Sequence, residues 1–285
     1  MYTDEWITVN GVRLHYQAWG SLGTPALLCL HGLTQQSHTF DGLAARLAGR
    51  YRCLALDLRG RGESEWAPAE SYTTPQYVDD VLKLLAALGL PAVHLFGTSL
   101  GGLIGLSLAA VAPPALLSLG LDDIGPEIDP RGVARVAAYT AAVPESFPTF
   151  ETAREWAVAQ YSWLAGMPAD EVSRAVRWAV RETPAGGWRF KFDPAISRAP
   201  RPAPEAAEAA RQVWWRAFTA LRCPILLVRG AESDILSRET ADEMQRRQPG
   251  MLRVDVPGAG HSPTLEEPAA VAALERFYLA PRDAS

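Results

Sequence analysis

The sequence contains no cluster of lysine and arginine residues, and this absence excludes a large class of partners. Of its 285 residues, 27 are Lys or Arg and 32 are Asp or Glu, so the formal net charge is −5. Nucleic acids and anionic membrane surfaces bind proteins through concentrated positive charge. We therefore expect no nucleic-acid partner.

Long apolar runs are also absent. No window approaches the ~18 apolar residues that a membrane-spanning helix requires. The first six residues, M-Y-T-D-E-W, lack the basic region and apolar core of a secretory signal. We therefore expect no membrane partner and a cytoplasmic location.

Cysteine is scarce and shows no ligand pattern. Cys29, Cys53 and Cys223 are an odd number, lie within or beside apolar runs, and lack the spacing of metal ligands. Such residues usually behave as small buried hydrophobic groups in a reducing compartment. The sequence therefore predicts neither a disulfide framework nor a metal site, and we expect the protein to work without a cofactor.

Short apolar segments rich in Leu, Val and Ile recur along the chain and are each followed by glycine or turn residues. Their apolar character is continuous rather than alternating, which is typical of parallel strands that are covered on both faces. The predicted strands are Ala26–Leu30, Arg52–Leu56, Ala92–Phe96, Leu116–Leu121, Ile225–Val228 and Arg253–Val256.

The start of the chain and the segments between these strands complete the pattern. Asn10-Gly11 between two alternating segments predicts a β-hairpin. Apolar residues at helical spacing predict helices at Phe40–Ala48, Pro75–Leu88, Leu100–Val111, Arg238–Arg247 and Glu267–Leu279. The predicted fold class is α/β, with a mostly parallel sheet of about eight strands, helices on both faces and an antiparallel start.

The alternation of strands and helices stops between residues 125 and 220. This segment shows helical patterns without a convincing strand, and it holds six of the nine tryptophans: Trp156, Trp163, Trp178, Trp188, Trp214 and Trp215. A helical cap would need such residues to build a small core of its own. We expect a core domain of residues 1–124 and 221–285 and an inserted helical cap (lid) of residues 125–220.

The segment G-T-S-L-G presents Ser99 between a predicted strand and a predicted helix. A serine hydroxyl needs a base, a group that orients the base, and donors for the oxyanion that forms. At a sharp strand-to-helix turn, side chains at positions 97 and 101 would collide with the backbone, which favours glycine there. Gly102 is expected to permit close packing of the helix on the sheet. The pattern predicts that Ser99 is a nucleophile.

Several further motifs resemble those of a known family. The segments are H-G-L-T after the third strand, D-L-R-G-R-G-E-S after the fourth, G-A-E-S-D after the strand at Ile225, and G-A-G-H-S-P near the C-terminus. Together with G-T-S-L-G-G they resemble the α/β-hydrolase superfamily, in particular capped esterases, lactonases and carbon-carbon bond hydrolases. The resemblance spans nearly the whole chain outside the predicted cap.

The resemblance implies the remaining catalytic residues. His261 is the expected base, because it follows a strand in a Gly-flanked loop and the order Ser, acid, His matches the family. For the acid the sequence favours Asp234, after the strand at Ile225. Asp122 and Asp123 remain alternatives, because some relatives carry the acid after the preceding strand.

Two backbone amides are expected to form the oxyanion hole, those of Leu33 and Leu100. His31 is expected to organise the first of these loops without transferring protons. The proposed substrate-binding side chains are Leu33, His38, Trp156 and Trp163. No basic residue can be assigned to a substrate carboxylate from the sequence, although Arg189 and Lys191 are candidates.

These features predict a cofactor-independent serine hydrolase. Its expected substrate is a small or medium apolar carboxylic ester or lactone, and its expected state is a monomer or a homodimer. A hydrolase of carbon-carbon bonds in ring-cleavage products is the alternative, because L-D-D-I-G-P-E followed by a cap resembles those relatives. A ligand receptor with little turnover is a third hypothesis.

Overall fold

The computed structural model describes residues 1–164, 167–199 and 203–280, and the side chain of Ser162 is not described. Its main sheet has eight strands in the order β1-β2-β4-β3-β5-β6-β9-β10. In chain order the strands of the protein are β1 (Tyr2–Val9), β2 (Val12–Trp19), β3 (Ala26–Leu30), β4 (Arg52–Leu56), β5 (Val93–Thr98), β6 (Leu116–Asp122), β7 (Val180–Glu182), β8 (Trp188–Phe190), β9 (Ile225–Gly230) and β10 (Leu252–Val256).

The direction of the strands confirms the predicted fold class. Strand β1 pairs antiparallel with β2, and β2 pairs antiparallel with β4, whereas all other neighbours in the main sheet are parallel. Asn10 and Gly11 join the first two strands with φ values of 52° and 71°. Both positive angles are those of a tight hairpin turn, as the Asn-Gly pair predicts.

Helices cover both faces of the sheet. They are α1 (Asp41–Leu47), α2 (Thr74–Ala87), α3 (Leu100–Val111), α4 (Pro130–Ala141), α5 (Phe150–Gln160), α6 (Ala169–Ala179), α7 (Pro204–Ala220), α8 (Arg238–Arg247) and α9 (Pro268–Leu279). Successive residues of β3 point to opposite faces, so Leu28 packs in one hydrophobic core and Leu27 in the other. No helix in the described ranges has both the length and the apolar content of a membrane span.

Residues 125–220, the cap segment, lie between β6 and β9 and carry α4 to α7. The expectation that this segment lacks strands is wrong, because β7 and β8 pair antiparallel across a turn at Gly186 and Gly187. Each strand has only three residues, which is too short for alternation to appear in the sequence. The last cap helix, α7, packs on α3 of the core, where Trp214 Nε1 donates a hydrogen bond to Ser107 Oγ over 2.8 Å.

Candidate active site

Ser99 occupies the turn between β5 and α3 with φ 50° and ψ −111°. A positive φ is uncommon for a residue with a side chain and indicates a constrained turn. A Cβ atom on Gly97 would lie 2.4 Å from the backbone of Gly101, and one on Gly101 would lie 1.9 Å from Leu30 O. A Cβ atom on Gly102 would lie 2.3 Å from a side-chain methyl of Ile124. These contacts confirm why glycine is needed at all three positions.

Three side chains form a continuous hydrogen-bond chain at this turn. His261 Nε2 lies 2.9 Å from Ser99 Oγ, and His261 Nδ1 lies 2.7 Å from Asp123 Oδ2. The His261 side chain is 9% exposed and that of Asp123 is fully buried. The structure thus brings Ser99 and His261 together as expected, whereas the carboxylate that meets the imidazole is that of Asp123.

This geometry corrects the expectation that Asp234 is the acid that pairs with His261. Its carboxylate makes a bidentate ion pair with Arg135 of α4, with Oδ2 2.6 Å from Nε and Oδ1 2.7 Å from Nη2. This pairing lowers the pKa of Asp234 below its ordinary value. Strands β6 and β9 are parallel neighbours, so the loops after both strands reach the same edge of the sheet, and Asp123 is the residue that reaches the imidazole.

Asp123 is held in place by several donors. Its Oδ1 accepts a hydrogen bond from Gly230 N over 2.9 Å, and its Oδ2 accepts one from Ser233 Oγ over 2.6 Å. The residue has φ 52°, a conformation that Asp tolerates better than most side chains. Fixed donors of this kind hold the carboxylate in its orientation toward His261.

The adjacent carboxyl group, Asp122, has a different environment. It is fully buried, and Thr98 Oγ1 donates a hydrogen bond to its Oδ2 over 2.9 Å. Burial, together with the negative charge of Asp123, raises the pKa of Asp122 well above its ordinary value. Asp122 is therefore buried beside the hydrogen-bond chain, and among the described residues it makes no hydrogen bond to His261.

The two loops expected to supply the oxyanion hole lie beside Ser99. Leu100 is the first residue of α3, so its backbone N–H has no partner within the helix. Among the residues that the structure describes, none accepts a hydrogen bond from the backbone N–H of Leu33 or Leu100. Leu33 lines the same cavity as Ser99. Both amides therefore remain candidates for binding an oxyanion.

His31 organises the loop that carries Leu33. Its Nδ1 lies 2.7 Å from Gly32 O, and its Nε2 accepts a hydrogen bond from Leu58 N over 3.0 Å. The imidazole is fully buried, and this burial lowers its pKa to about 4. A neutral ring that donates from Nδ1 and accepts at Nε2 satisfies both contacts, which agrees with the predicted structural role.

Two adjacent spaces lie at this site, and Ser99 lines the smaller one. The smaller one, the triad cavity, is lined by Ser99, His261, Leu33, Arg135, Tyr139 and Tyr161, together with neighbouring residues. The larger one, the outer cleft, has a volume of about 800 Å³ and includes Trp19, His38, Leu164 and Trp178 in its walls. Thr34, Gln35, Tyr161, Trp163 and Ser262 line both spaces. A substrate could therefore extend from the triad cavity into the outer cleft.

The structure places three of the four expected substrate-binding side chains along these spaces. Leu33 lines the triad cavity, His38 lines the outer cleft, and Trp163 lines both. The expectation for Trp156 is corrected, because its ring packs in the cap's aromatic core at 5.9 Å from Phe147 and 5.4 Å from Phe190. Neither space includes Trp156 among the described residues that line it.

Several residues of the triad cavity could not be identified from the sequence. Arg135 and Tyr139 are one helical turn apart on α4, and Tyr161 follows α5. Their helical spacing is visible in the sequence, but the position of the cap over Ser99 is not. The two basic candidates lie elsewhere, with Arg189 stacked over Trp66 and Lys191 paired with Glu63.

Comparisons with known proteins agree with this architecture. The family model described as alpha/beta hydrolase fold matches residues 25–268. A 3-hydroxybutyrate-oligomer hydrolase of Cupriavidus necator is 39% identical over 272 residues, which cover 93% of this chain and 92% of that relative. A 2-(acetamidomethylene)succinate hydrolase of Mesorhizobium japonicum is 28% identical over 90% of this chain and 87% of its own length.

A solved structure extends the similarity to the backbone. The crystal structure of an alpha/beta hydrolase from Novosphingobium aromaticivorans superposes with a TM-score of 0.87 at 35% identity, and the match covers 98% of each chain. The likeness thus includes the core and the cap segment together.

Proposed function

Because the chain belongs to the α/β-hydrolase family, we propose that it hydrolyses carboxylic esters with Ser99 as nucleophile, His261 as general base and Asp123 as the orienting acid. The observation that carries this proposal is the unbroken hydrogen-bond chain, 2.9 Å from Ser99 Oγ to His261 Nε2 and 2.7 Å from His261 Nδ1 to Asp123 Oδ2. This arrangement activates a serine hydroxyl in unrelated folds as well.

The acylation step follows from these positions. His261 Nε2 accepts the proton of Ser99 Oγ while the oxygen attacks the ester carbonyl. The buried carboxylate of Asp123 stabilises the imidazolium that forms. The amides of Leu33 and Leu100 donate hydrogen bonds to the developing oxyanion. His261 then passes the proton to the departing alkoxide, and the acyl group stays on Ser99.

Deacylation repeats the same transfers with water. His261 removes a proton from a water molecule, and the resulting hydroxide attacks the acyl-enzyme carbonyl. Collapse of the second tetrahedral intermediate returns the proton to Ser99 Oγ and releases the carboxylic acid. Every proton transfer uses His261, so neither a metal nor an organic cofactor takes part in this cycle.

For the substrate we propose a short oligoester of a hydroxy acid, such as a 3-hydroxybutyrate dimer or trimer. The Cupriavidus necator relative carries the name of such an activity and matches over nearly its whole length. The outer cleft of about 800 Å³ continues from the triad cavity, which suits a chain longer than one unit. The mixed polar and aromatic walls suit repeating ester groups separated by methyl and methylene groups.

Hydrolysis of defined oligomers tests this proposal. Purified protein is expected to convert the 3-hydroxybutyrate dimer and trimer to monomer, and Ser99→Ala is expected to abolish the reaction while leaving the folded content unchanged by circular dichroism. Lactones of the same acids serve as a parallel panel. If wild-type protein cleaves neither these oligomers nor p-nitrophenyl butyrate, the ester-hydrolase proposal is rejected.

A second candidate is hydrolysis of an acidic substrate that is not an ester. The Mesorhizobium japonicum relative is named for such a compound, and Arg135 gives the triad cavity a cationic group. Carbon-carbon bond cleavage in ring-cleavage products belongs to this class. Turnover of an acidic dienone or enamide well above turnover of the oligoester would favour it.

A further inference from the structure

We propose that Arg135, positioned by Asp234, determines specificity by binding the free carboxylate of the substrate inside the triad cavity. The inference rests on the proposed ester hydrolysis and identifies which end of an oligoester meets Ser99. Arg135 lines the same cavity as Ser99 and His261. In a hydroxy-acid oligomer the free carboxylate lies on the unit whose hydroxyl oxygen is released when the last ester bond breaks.

The guanidinium of Arg135 is held by Asp234, but not all of its N–H donors are used by that pair. Its Nε and Nη2 donate to the two oxygens of Asp234 over 2.6 and 2.7 Å. Among the described residues, none accepts a hydrogen bond from Nη1. Asp234 thus fixes the plane of the guanidinium and leaves further N–H donors for a second carboxylate. Planar, bidentate recognition of carboxylates is the geometry that arginine provides and lysine does not.

A tyrosine hydroxyl adds a second polar group to the triad cavity. Tyr161 is 8% exposed and lines this cavity, and the side chain that interacts with its hydroxyl is Thr34. A phenol hydroxyl is both a donor and an acceptor, so Tyr161 can donate a hydrogen bond to a ligand while it interacts with Thr34. Tyr139 lies beside it, with ring centroids 5.2 Å apart.

The charges around the cavity require a cation if an anionic substrate is to enter. Asp123 and Asp234 both contribute negative charge at this edge of the sheet, and both raise the pKa of Arg135 further above its ordinary value. Without Arg135 these carboxylates would repel a substrate carboxylate. With it, the last ester bond can approach Ser99 while the remaining chain extends into the outer cleft.

A tether between cap and core is the competing interpretation of the Arg135–Asp234 ion pair. The pair joins α4 of the cap segment to the loop after β9, and the two side chains are 37% and 33% exposed. Ion pairs this exposed contribute little to stability. A tether would affect every ligand equally, whereas a carboxylate-binding residue affects only acidic ligands.

Calorimetric binding to the Ser99→Ala protein separates these interpretations without turnover. The two ligands are the 3-hydroxybutyrate dimer and the same dimer with its terminal carboxylate converted to a carboxamide. We expect the acid to bind at least about tenfold more tightly than the amide, as for a charge-assisted hydrogen bond. Adding Arg135→Gln should reduce this ratio to about one, and Arg135→Lys should give an intermediate ratio.

Two matched variants complete the experiment. Arg131→Gln lies one turn earlier on α4, where the Arg131 side chain is 81% exposed and paired with Asp129, and it should leave the ratio unchanged. Asp234→Asn keeps the charge of Arg135 and should retain the preference for the acid. Thermal unfolding of each variant verifies the fold.

The outcomes that overturn the inference are specific. The first is that the Ser99→Ala protein binds the acid and the amide with equal affinity, or does not measurably bind the acid. The second is that Arg135→Gln leaves the ratio of the two affinities unchanged. Equal weakening of both ligands in Arg135→Gln and Asp234→Asn identifies a tether instead. Failure of wild-type protein to cleave both the 3-hydroxybutyrate oligomers and p-nitrophenyl butyrate rejects ester hydrolysis, while the binding ratio still decides the role of Arg135.

Discussion

The carboxylate of Asp123 lies 2.7 Å from Nδ1 of His261, and the carboxylate of Asp234 lies on the guanidinium of Arg135 instead. Two acids at the same edge of the sheet therefore have different partners. One partner is the imidazole that contacts Ser99, and the other is a cationic side chain of the cap.

Neutral substitutions at the two acids should separate their roles. Asp123→Asn leaves His261 without an acceptor that fixes its tautomer and stabilises its charge, so kcat should fall by about 10³- to 10⁴-fold. Asp234→Asn should lower kcat by less than about tenfold, because this carboxylate pairs with Arg135 and not with His261. Steady-state hydrolysis of the 3-hydroxybutyrate dimer measures both. Equal loss of kcat in the two variants would contradict the assignment of Asp123.

The turn at Ser99 should not tolerate a methyl group at position 101. In Gly101→Ala the new Cβ would lie 1.9 Å from Leu30 O, and a backbone atom cannot move away as a flexible side chain can. We expect a loss of about 3 kcal/mol or more in the free energy of unfolding. Gly49→Ala is the matched control, because nothing lies within 4 Å of its Cβ position. Urea unfolding compares them, and similar stabilities would argue against the steric account.

Acid should destabilise the protein through His31. Its pKa in the folded protein is about 4, below its ordinary value of 6.5, so the unfolded chain binds the proton more readily. The stabilising contribution is complete above pH 6.5 and is lost as the pH falls toward 4. The free energy of unfolding should fall by up to about 1.4 kcal/mol per pH unit in this window.

The variant His31→Gln isolates this contribution. It is expected to be less stable than wild type at pH 7, because the hydrogen bond from Leu58 N is lost or weakened. The difference between the two proteins should shrink as the pH falls from 6.5 to 4.5. A difference that is constant with pH would exclude His31 as the titrating group.

Chain-length preference should depend on Trp178. Its ring stacks on His38 with centroids 3.6 Å apart, and both residues line the outer cleft. If the acyl part of an oligoester extends there, Trp178→Ala should reduce the ratio of kcat/KM for tetramer over dimer by about three- to tenfold, equivalent to ~1 kcal/mol. Trp66→Ala is the control, because Trp66 is equally exposed at 37% but does not line the cleft. An equal change in both variants would count against binding in the outer cleft.

The local pattern is enough to predict the strands of the main sheet, the hairpin and the turn at Ser99. Strands β3 and β4 have the predicted bounds, and α3 begins at Leu100 as predicted. Continuous apolar residues and the steric need for glycine act within a few residues, so the sequence records them directly. The same holds for His261, whose Gly-flanked loop follows the strand that ends at Val256.

The acid and the binding residues depend on contacts between distant segments. Asp123 and His261 are 138 residues apart, and Arg135 and Asp234 are 99 residues apart. Carboxylates follow both β6 and β9, and only the turn at Asp123 and the position of α4 decide which one meets the imidazole. Trp156 shows the same limit, because aromatic residues of the cap line a cleft or fill its core according to packing that helical spacing does not define.

Covalent labelling tests the central claim, that Ser99 is a nucleophile activated by His261 and Asp123, most directly. Wild-type protein is incubated with a fluorophosphonate, and the modified residue is located by peptide mass spectrometry. We predict one adduct on Ser99, no adduct in Ser99→Ala, and labelling slowed by at least about 10³-fold in Asp123→Asn. Folded wild-type protein that stays unlabelled at Ser99, or that is labelled at an unchanged rate in Asp123→Asn, would contradict the account.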